Sequence, residues 1–193
     1  MAETLTLAHI QNARQRIAPC VRRTPLTASA ALSERLKTNV YVKLELFQKT
    51  GSFKVRGAFN KALGLSAEER GQGLVAVSGG NHAQAVAYAA RTLGLKSVIL
   101  MPATTPANYV DATRGYGADI HFAANVGAAF AEVADYEKQG WAYIHPFDDP
   151  AVIAGQGTVA AEVLEEMPDV DSFVVAVGGG GLASGVSVAG GAE

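Results

Sequence analysis

Short apolar runs alternate with longer segments of helical spacing along most of the chain. The strand candidates are residues 40–46, 74–77, 97–101, 119–122, 142–144 and 172–177. Most are short and rich in β-branched or aromatic residues, as strands covered on both faces are. The stretches between them are rich in alanine and leucine. In residues 81–93, Ala83, Val86, Ala87, Ala90 and Leu93 share one helical face. This alternation predicts an α/β fold of open parallel sheets flanked by helices, with right-handed crossovers.

Punctuation agrees with that reading. Gly94 follows the helical segment that begins at Asn81, and Pro102 and Pro106 mark the turn into the next helix. Thr158, after Gly155-Gln156-Gly157, is placed to cap a helix over 159–167. The last strand candidate runs into four glycines, and a helix from Leu182 would have barely two turns before Glu193. A loop of this type normally leads into a helix that packs back on its sheet, and then into further strands. The pattern therefore predicts a chain interrupted at this point.

Composition narrows the function classes. The 193 residues are 49% apolar and 18% charged, which describes a globular chain able to bury one sizeable core. A net charge of −2 gives no reason to expect nucleic acid or an anionic membrane as partner. No apolar run is long enough to span a bilayer, and the first residues lack the basic-then-apolar order of a signal peptide. A cytoplasmic address is the expectation. Cys20 is the sole cysteine, so neither an internal disulfide nor a cysteine-based metal cluster is expected.

Three segments concentrate candidate chemistry. In Lys49-Thr50-Gly51-Ser52-Phe53-Lys54, Lys54 would open a helix, where the electropositive N-terminus disfavours a second cation and lowers the amine's pKa. A neutral amine is what forms a Schiff base. In Ser78-Gly79-Gly80-Asn81-His82-Ala83-Gln84, two glycines let the backbone approach a ligand, and the first helical N–H groups can receive a carboxylate or phosphate. In Gly178-Gly179-Gly180-Gly181-Leu182, successive N–H groups can wrap an anion. Each segment also has a plain structural reading: a surface lysine, a capped strand-to-helix turn, a flexible loop. His145-Pro146-Phe147-Asp148-Asp149-Pro150 reads as a turn capping the next helix and not as a metal site. Trp141 and Tyr143 read as core, and His9 and His121 as surface or pocket-edge residues. Lys43, Glu45 and Gln48 lie on the approach to Lys54.

These motifs, with His145 to Thr158 between them, stand in one order from about Arg23-Thr24-Pro25-Leu26 to the end of the chain. Together they resemble the pyridoxal-phosphate (PLP) dependent serine/threonine dehydratase (threonine ammonia-lyase) and serine racemase family. That family has the fold-type II architecture of the tryptophan synthase β subunit. The resemblance implies roles. Lys54 matches the lysine that forms the Schiff base with the cofactor and later carries the substrate's α-proton. Phe53 matches the aromatic beside the cofactor ring, and Asn81 the asparagine bonded to the ring hydroxyl. Ser78, Gly79, Gly80 and His82 match the loop that receives the substrate carboxylate. Gly178, Gly179, Gly180, Gly181 and Leu182 match the loop whose amides hold the cofactor phosphate.

The implied activity is β-elimination of L-threonine or L-serine to a 2-keto acid and ammonia, with a small amino acid as ligand and a homo-oligomeric full-length protein. It also implies two lobes: residues 1–49 starting a large lobe, 50–144 forming a small one, and 145–193 returning to an incomplete large lobe. Eukaryotic-type serine racemases carry a second serine in the asparagine loop, where this chain has Gly79. Elimination is therefore favoured over racemisation, which stays as the alternative beside related hydroxy-amino-acid lyases. Two further alternatives are a dinucleotide-binding protein using the glycine loop and a non-catalytic fragment that keeps the fold.

Overall fold

A computed structural model describes residues 4–191; the outermost residues of the first and last expected segments, 1–3 and 192–193, lie outside the described residues. The first helix, α1 (Leu7–Ile17), buries Ile10, Ala13 and Ile17 at three- and four-residue spacing, and Thr6 with His9 closes its capping box. The strands β1 (Leu26–Ala28) and β2 (Tyr41–Lys43) pair antiparallel, Leu26 against Lys43, with α2 (Ala30–Leu36) between them. The expected strand over 40–46 is thus cut to three residues and, among the described residues, has no parallel partner. After Lys43 the chain winds into a 3-10 turn, Glu45–Phe47, which delivers the Glu45 carboxylate to Thr24 and Arg56.

Seven elements then build the main sheet. They are α3 (Lys54–Gly64), β3 (Gly73–Val77), α4 (Asn81–Thr92), β4 (Ser97–Pro102), α5 (Ala107–Gly115), β5 (Asp119–Ala123) and α6 (Val126–Lys138), followed by a fourth strand, β6 (Trp141–Tyr143). The four strands lie in the order β5-β4-β3-β6, every pair parallel. Central β3 is buried along its whole length, because helices cover both faces. On one face Leu74, Ala76, Ile99 and Met101 pack against α3 and α4 through Phe59, Ala83, Val86, Ala87 and Ala90. On the other, Val75, Val77, Val98 and Leu100 meet Ala129 and Val133 of α6, with Trp141 and Tyr143 packed beside them.

Past β6 the structure departs from the expectations. The helix α7 (Pro150–Glu166) is one continuous run of 17 residues, N-capped by the Asp149 carboxylate. The expected turn at 145–150 is there, but Thr158 caps nothing: it lies inside α7, and its hydroxyl donates to the Gly155 carbonyl at 2.7 Å. Gly155 and Gly157, which suggested a loop, are contact points instead. A Cβ on Gly155 would stand 2.6 Å from the Gly57 Cα of α3, and one on Gly157 would stand 2.8 Å from the Gly185 carbonyl. Close backbone packing on two sides outweighs the roughly 1 kcal/mol that each internal glycine costs a helix.

The last helix, α8 (Gly181–Gly190), runs ten residues, longer than the two turns expected. Residues 172–177 form no strand. Phe173 and Val175 pack on Ile10, Ala160, Val186 and Ala189, but Val174 is 99% exposed. A strand exists through a hydrogen-bonded neighbour, and among the described residues none flanks this segment. No helix among the described residues is long and apolar enough to cross a membrane.

Candidate active site

Because β3, β4 and β6 run parallel, their C-terminal ends open on one edge of the sheet, where open α/β folds bind ligands. The loops there carry Ser78 to Gly80, Thr105, and residues 144–149. Facing them is the start of α3, with Phe53 as its N-cap and Lys54 as its first residue. Lys54 is half-buried; its Nζ donates to the Pro146 carbonyl at 2.5 Å and lies 5.5 Å from the Phe53 ring centroid. Burial holds its pKa below the ordinary amine value. The direction is the expected one, and desolvation of the cation drives it.

His82, in the first turn of α4, is buried, and its Nε2 donates to the Ile144 carbonyl at 2.8 Å. Burial drives its pKa down to about 3; the bond to Ile144 opposes this, and the charges of Lys54 and His145 add to it. The ring is therefore neutral, with its proton on Nε2 and a buried Nδ1 that has no partner. A ring in this state cannot donate to a carboxylate through Nδ1, so His82 offers that loop its backbone N–H alone. Neighbouring Ser78 bonds through its N–H to the Leu100 carbonyl, and its hydroxyl accepts from the Gly80 N–H, both at 3.1 Å. Gly79 lies against Thr105, Gly80 faces open space, and Asn81 is exposed at the first position of α4.

The glycine loop closes the other side. Gly180 has φ +89°, a conformation that favours glycine, and precedes Gly181 and half-buried Leu182 at the start of α8. A Cβ on Gly179 would collide with the Phe147 ring, and one on Gly181 would lie 2.8 Å from the Phe147 carbonyl. At Gly178 and Gly180 a Cβ would meet nothing. Segment 144–147 is thus the hub. Ile144 holds His82, Pro146 holds Lys54, and Phe147 carries the glycine loop. His145 between them packs edge-on to Tyr143 and Phe147, and burial pushes its pKa down, against the pull of Asp148 and Asp149.

Sequence reasoning missed the ionic cluster behind Lys54. Arg56 is fully buried and pairs with Glu45 at 2.8 Å and Glu162 at 2.6 Å; Lys43 pairs with Glu162 at 2.7 Å. Gln48 bridges the Arg22 backbone, donating to its carbonyl at 2.6 Å and accepting from its N–H at 2.9 Å. The available signal was a lone arginine in the otherwise apolar Val55 to Phe59 and a single acid, Glu162, within the apolar stretch Val159 to Leu164. A cavity of about 250 Å³, lined by His9, Asn12, Arg16, Asn60 and Ala154, contains none of the candidate residues. Its lining holds neither a lysine nor a glycine loop, so chemistry and not volume singles out the Lys54 cleft.

A half-buried amine, a glycine turn at one helix start and a glycine nest at another thus meet at one edge of an open α/β fold. Residues 17–190 match the family described as "Pyridoxal-phosphate dependent enzyme", and the chain belongs to that family. It is 49% identical over 187 residues to an L-threonine ammonia-lyase of Thermotoga maritima, covering 96% of this chain and 47% of that protein. It is 44% identical to the catabolic L-threonine dehydratase TdcB of Staphylococcus aureus, covering 97% of this chain and 55% of that one. Among solved structures, maize serine racemase superimposes with TM-score 0.93 at 38% identity, over 97% of this chain and 58% of that one. The processed form of threonine deaminase isoform 2 from Solanum lycopersicum gives 0.88 at 39%, over 95% and 50%. The chain spans about half the length of the curated relatives it matches. The residues present fit the cofactor: an amine with lowered pKa for its aldehyde, and an open glycine cradle at a helix N-terminus for its phosphate.

Proposed function

We propose that this chain supplies the cofactor lysine, the carboxylate loop and the phosphate loop of a PLP-dependent lyase that eliminates water from L-threonine or L-serine, giving a 2-keto acid and ammonia. The observation that carries it is Lys54: a half-buried amine with lowered pKa, at a helix start, in contact with the same short segment as the other two motifs. The threonine ammonia-lyase and dehydratase names of the relatives at 44–49% identity support the substrate class.

Lys54 and Phe53 would hold the cofactor ring, Asn81 its hydroxyl, and Gly178 to Leu182 its phosphate. When bound, PLP supplies an aldehyde that condenses with amines and a ring that delocalises the charge left at an α-carbon after its proton leaves. The N–H groups from Ser78 to His82 orient the substrate carboxylate. The neutral Lys54 Nζ takes the α-proton, and the Pro146 carbonyl is the acceptor that holds the resulting ammonium. With Gly79, position 79 carries no second serine hydroxyl, which favours elimination over the racemase alternative despite the high TM-score to serine racemase. We extend the proposal to a small lobe over 50–144 set between large-lobe segments 1–49 and 145–193, and to a homo-oligomeric full-length enzyme.

Cofactor trapping tests the site. The chain incubated with PLP, reduced with borohydride and digested is expected to carry the label on the Lys54 peptide, and Lys54→Ala to lose it. Labelling scattered over surface lysines in both proteins would refute the assignment.

A further inference from the structure

Thr105 and Gly79 form a pair that neither the motifs nor the family match assigns. Thr105 lies in the loop between β4 and α5, where its N–H closes a turn on the Pro102 carbonyl at 2.9 Å. Its side chain reaches across to the loop after β3. A Cβ built on Gly79 would lie 2.5 Å from Thr105 Oγ1, 3.3 Å from Cγ2 and 3.4 Å from Cβ, so the three nearest atoms all belong to that one side chain. Relief is hard to find. Threonine is branched at Cβ, which restricts its χ1 settings, and Thr105 Cβ itself would lie 3.4 Å from the new atom, where no χ1 turn moves it. Pro106 restricts the backbone of the residue before it. The two loops are also tied together, since the Ser78 N–H bonds to the Leu100 carbonyl of β4.

The hydroxyl of Thr105 adds a second, independent observation. Oγ1 is buried and has no hydrogen-bond partner. A buried hydroxyl left unpaired carries a desolvation cost. What Thr105 contributes here is therefore volume, placed against the backbone of Gly79.

We infer that Thr105 is a positioning and specificity-determining residue for the Ser78–Asn81 loop: its bulk bars any side chain from position 79. The inference rests on the proposed role of that loop as the amino-acid carboxylate site. Position 79 then offers a ligand only its backbone N–H, and no side chain there can exchange a proton with the α-carbon.

A double-mutant cycle tests the pair, with two readouts on the PLP-loaded chain: the thermal unfolding midpoint, and the affinity for L-alanine, which has no β-leaving group, by calorimetry. Overpacking makes Gly79→Ser lower the midpoint and weaken L-alanine binding by roughly tenfold. Adding Thr105→Ala brings both back to the values of Thr105→Ala alone. Thr105→Val, with the same shape and no hydroxyl, keeps the affinity and raises the midpoint, because an unpaired polar group is removed. Gly79→Ser indistinguishable from the parent, or single effects that simply add in the double variant, would overturn the inference. If the parent binds no L-alanine while the midpoints remain coupled, the lyase proposal falls and the Thr105–Gly79 lock stands.

Discussion

At the scale of single residues, the titrating groups of the site set its response to pH. His82 has a native pKa near 3, against an ordinary 6.5. The unfolded chain therefore binds a proton below pH 6.5 that the folded chain refuses until about pH 3. The stability contributed by neutral His82 is complete above 6.5 and is lost as pH falls toward 3, a loss of about 5 kcal/mol at 1.36 kcal/mol per unit. His82→Gln keeps a donor for the Ile144 carbonyl and does not titrate. Its urea midpoint should fall less than the parent's between pH 7 and pH 4; parallel falls would place the acid sensitivity elsewhere. Lys54 shifts in the same direction for the same reason, burial disfavouring the cation. As pH rises the neutral amine becomes available, so the rate of PLP adduct formation should rise through a midpoint below 10.5, the ordinary amine value. A midpoint at or above it would mean a solvated amine.

At the scale of elements, α7 organises the residues behind the cleft. It packs closely on α3 through Gly155 and Gly57, and on α8 through Gly157 and Gly185. Those contacts hold the starts of α3 and α8, with Lys54 and the glycine loop, at a fixed separation. Gly185→Ala puts a Cβ 2.6 Å from the Gly157 nitrogen and from the Ile153 carbonyl, backbone atoms that cannot swing aside. A loss of about 1–3 kcal/mol in urea unfolding is expected, as for other overpacked cores. Gly94→Ala serves as the contrast, because a Cβ there meets nothing and any cost comes from its φ of +68°. Equal cost at both sites, with PLP trapping at Lys54 unchanged in each, would argue against helix separation as the controlled quantity.

At the scale of the whole molecule, the buried charges join segments distant in sequence. Lys43 of β2, Glu45 of the 3-10 turn, Arg56 of α3 and Glu162 of α7 form one network. Burial alone would raise the Glu162 carboxyl, but hydrogen bonds and charge from Arg56 and Lys43 outweigh it and hold the pKa below the ordinary range. Its stabilising contribution is present above the unfolded carboxylate pKa and is lost as pH falls through the native one. Arg56→Met would leave Glu45 and Glu162 without their shared cation, at a cost of about 3–5 kcal/mol. Combined with Glu45→Gln, which leaves Lys43 and Glu162 as a balanced pair, the same change should recover much of that loss in thermal unfolding. No recovery would show that Arg56 acts by shape and not by charge.

The features legible in the sequence are those set by local periodicity and local stereochemistry. Short runs of three to five residues between helical segments were enough to place β3, β4, β5 and β6, and the apolar runs of β3 and β4 are those of strands covered on both faces. Lys54 could be placed at a helix start because the residues around it carry the turn and helix signals themselves. Its neighbour Arg56 could not, because the carboxylates that make its burial tolerable lie 11 and 106 residues away in sequence. Gly155 and Gly157 looked like a loop for the same reason: the backbones that require small residues there belong to α3 and α8. Segment 172–177 has the composition of a strand, but composition cannot supply a hydrogen-bonded neighbour, and the segment lies unpaired. Thr105 carried no local signal at all. Local patterns determine which elements form, while the cost or benefit of a buried charge, an internal glycine or an unpaired hydroxyl depends on what the tertiary structure brings against it.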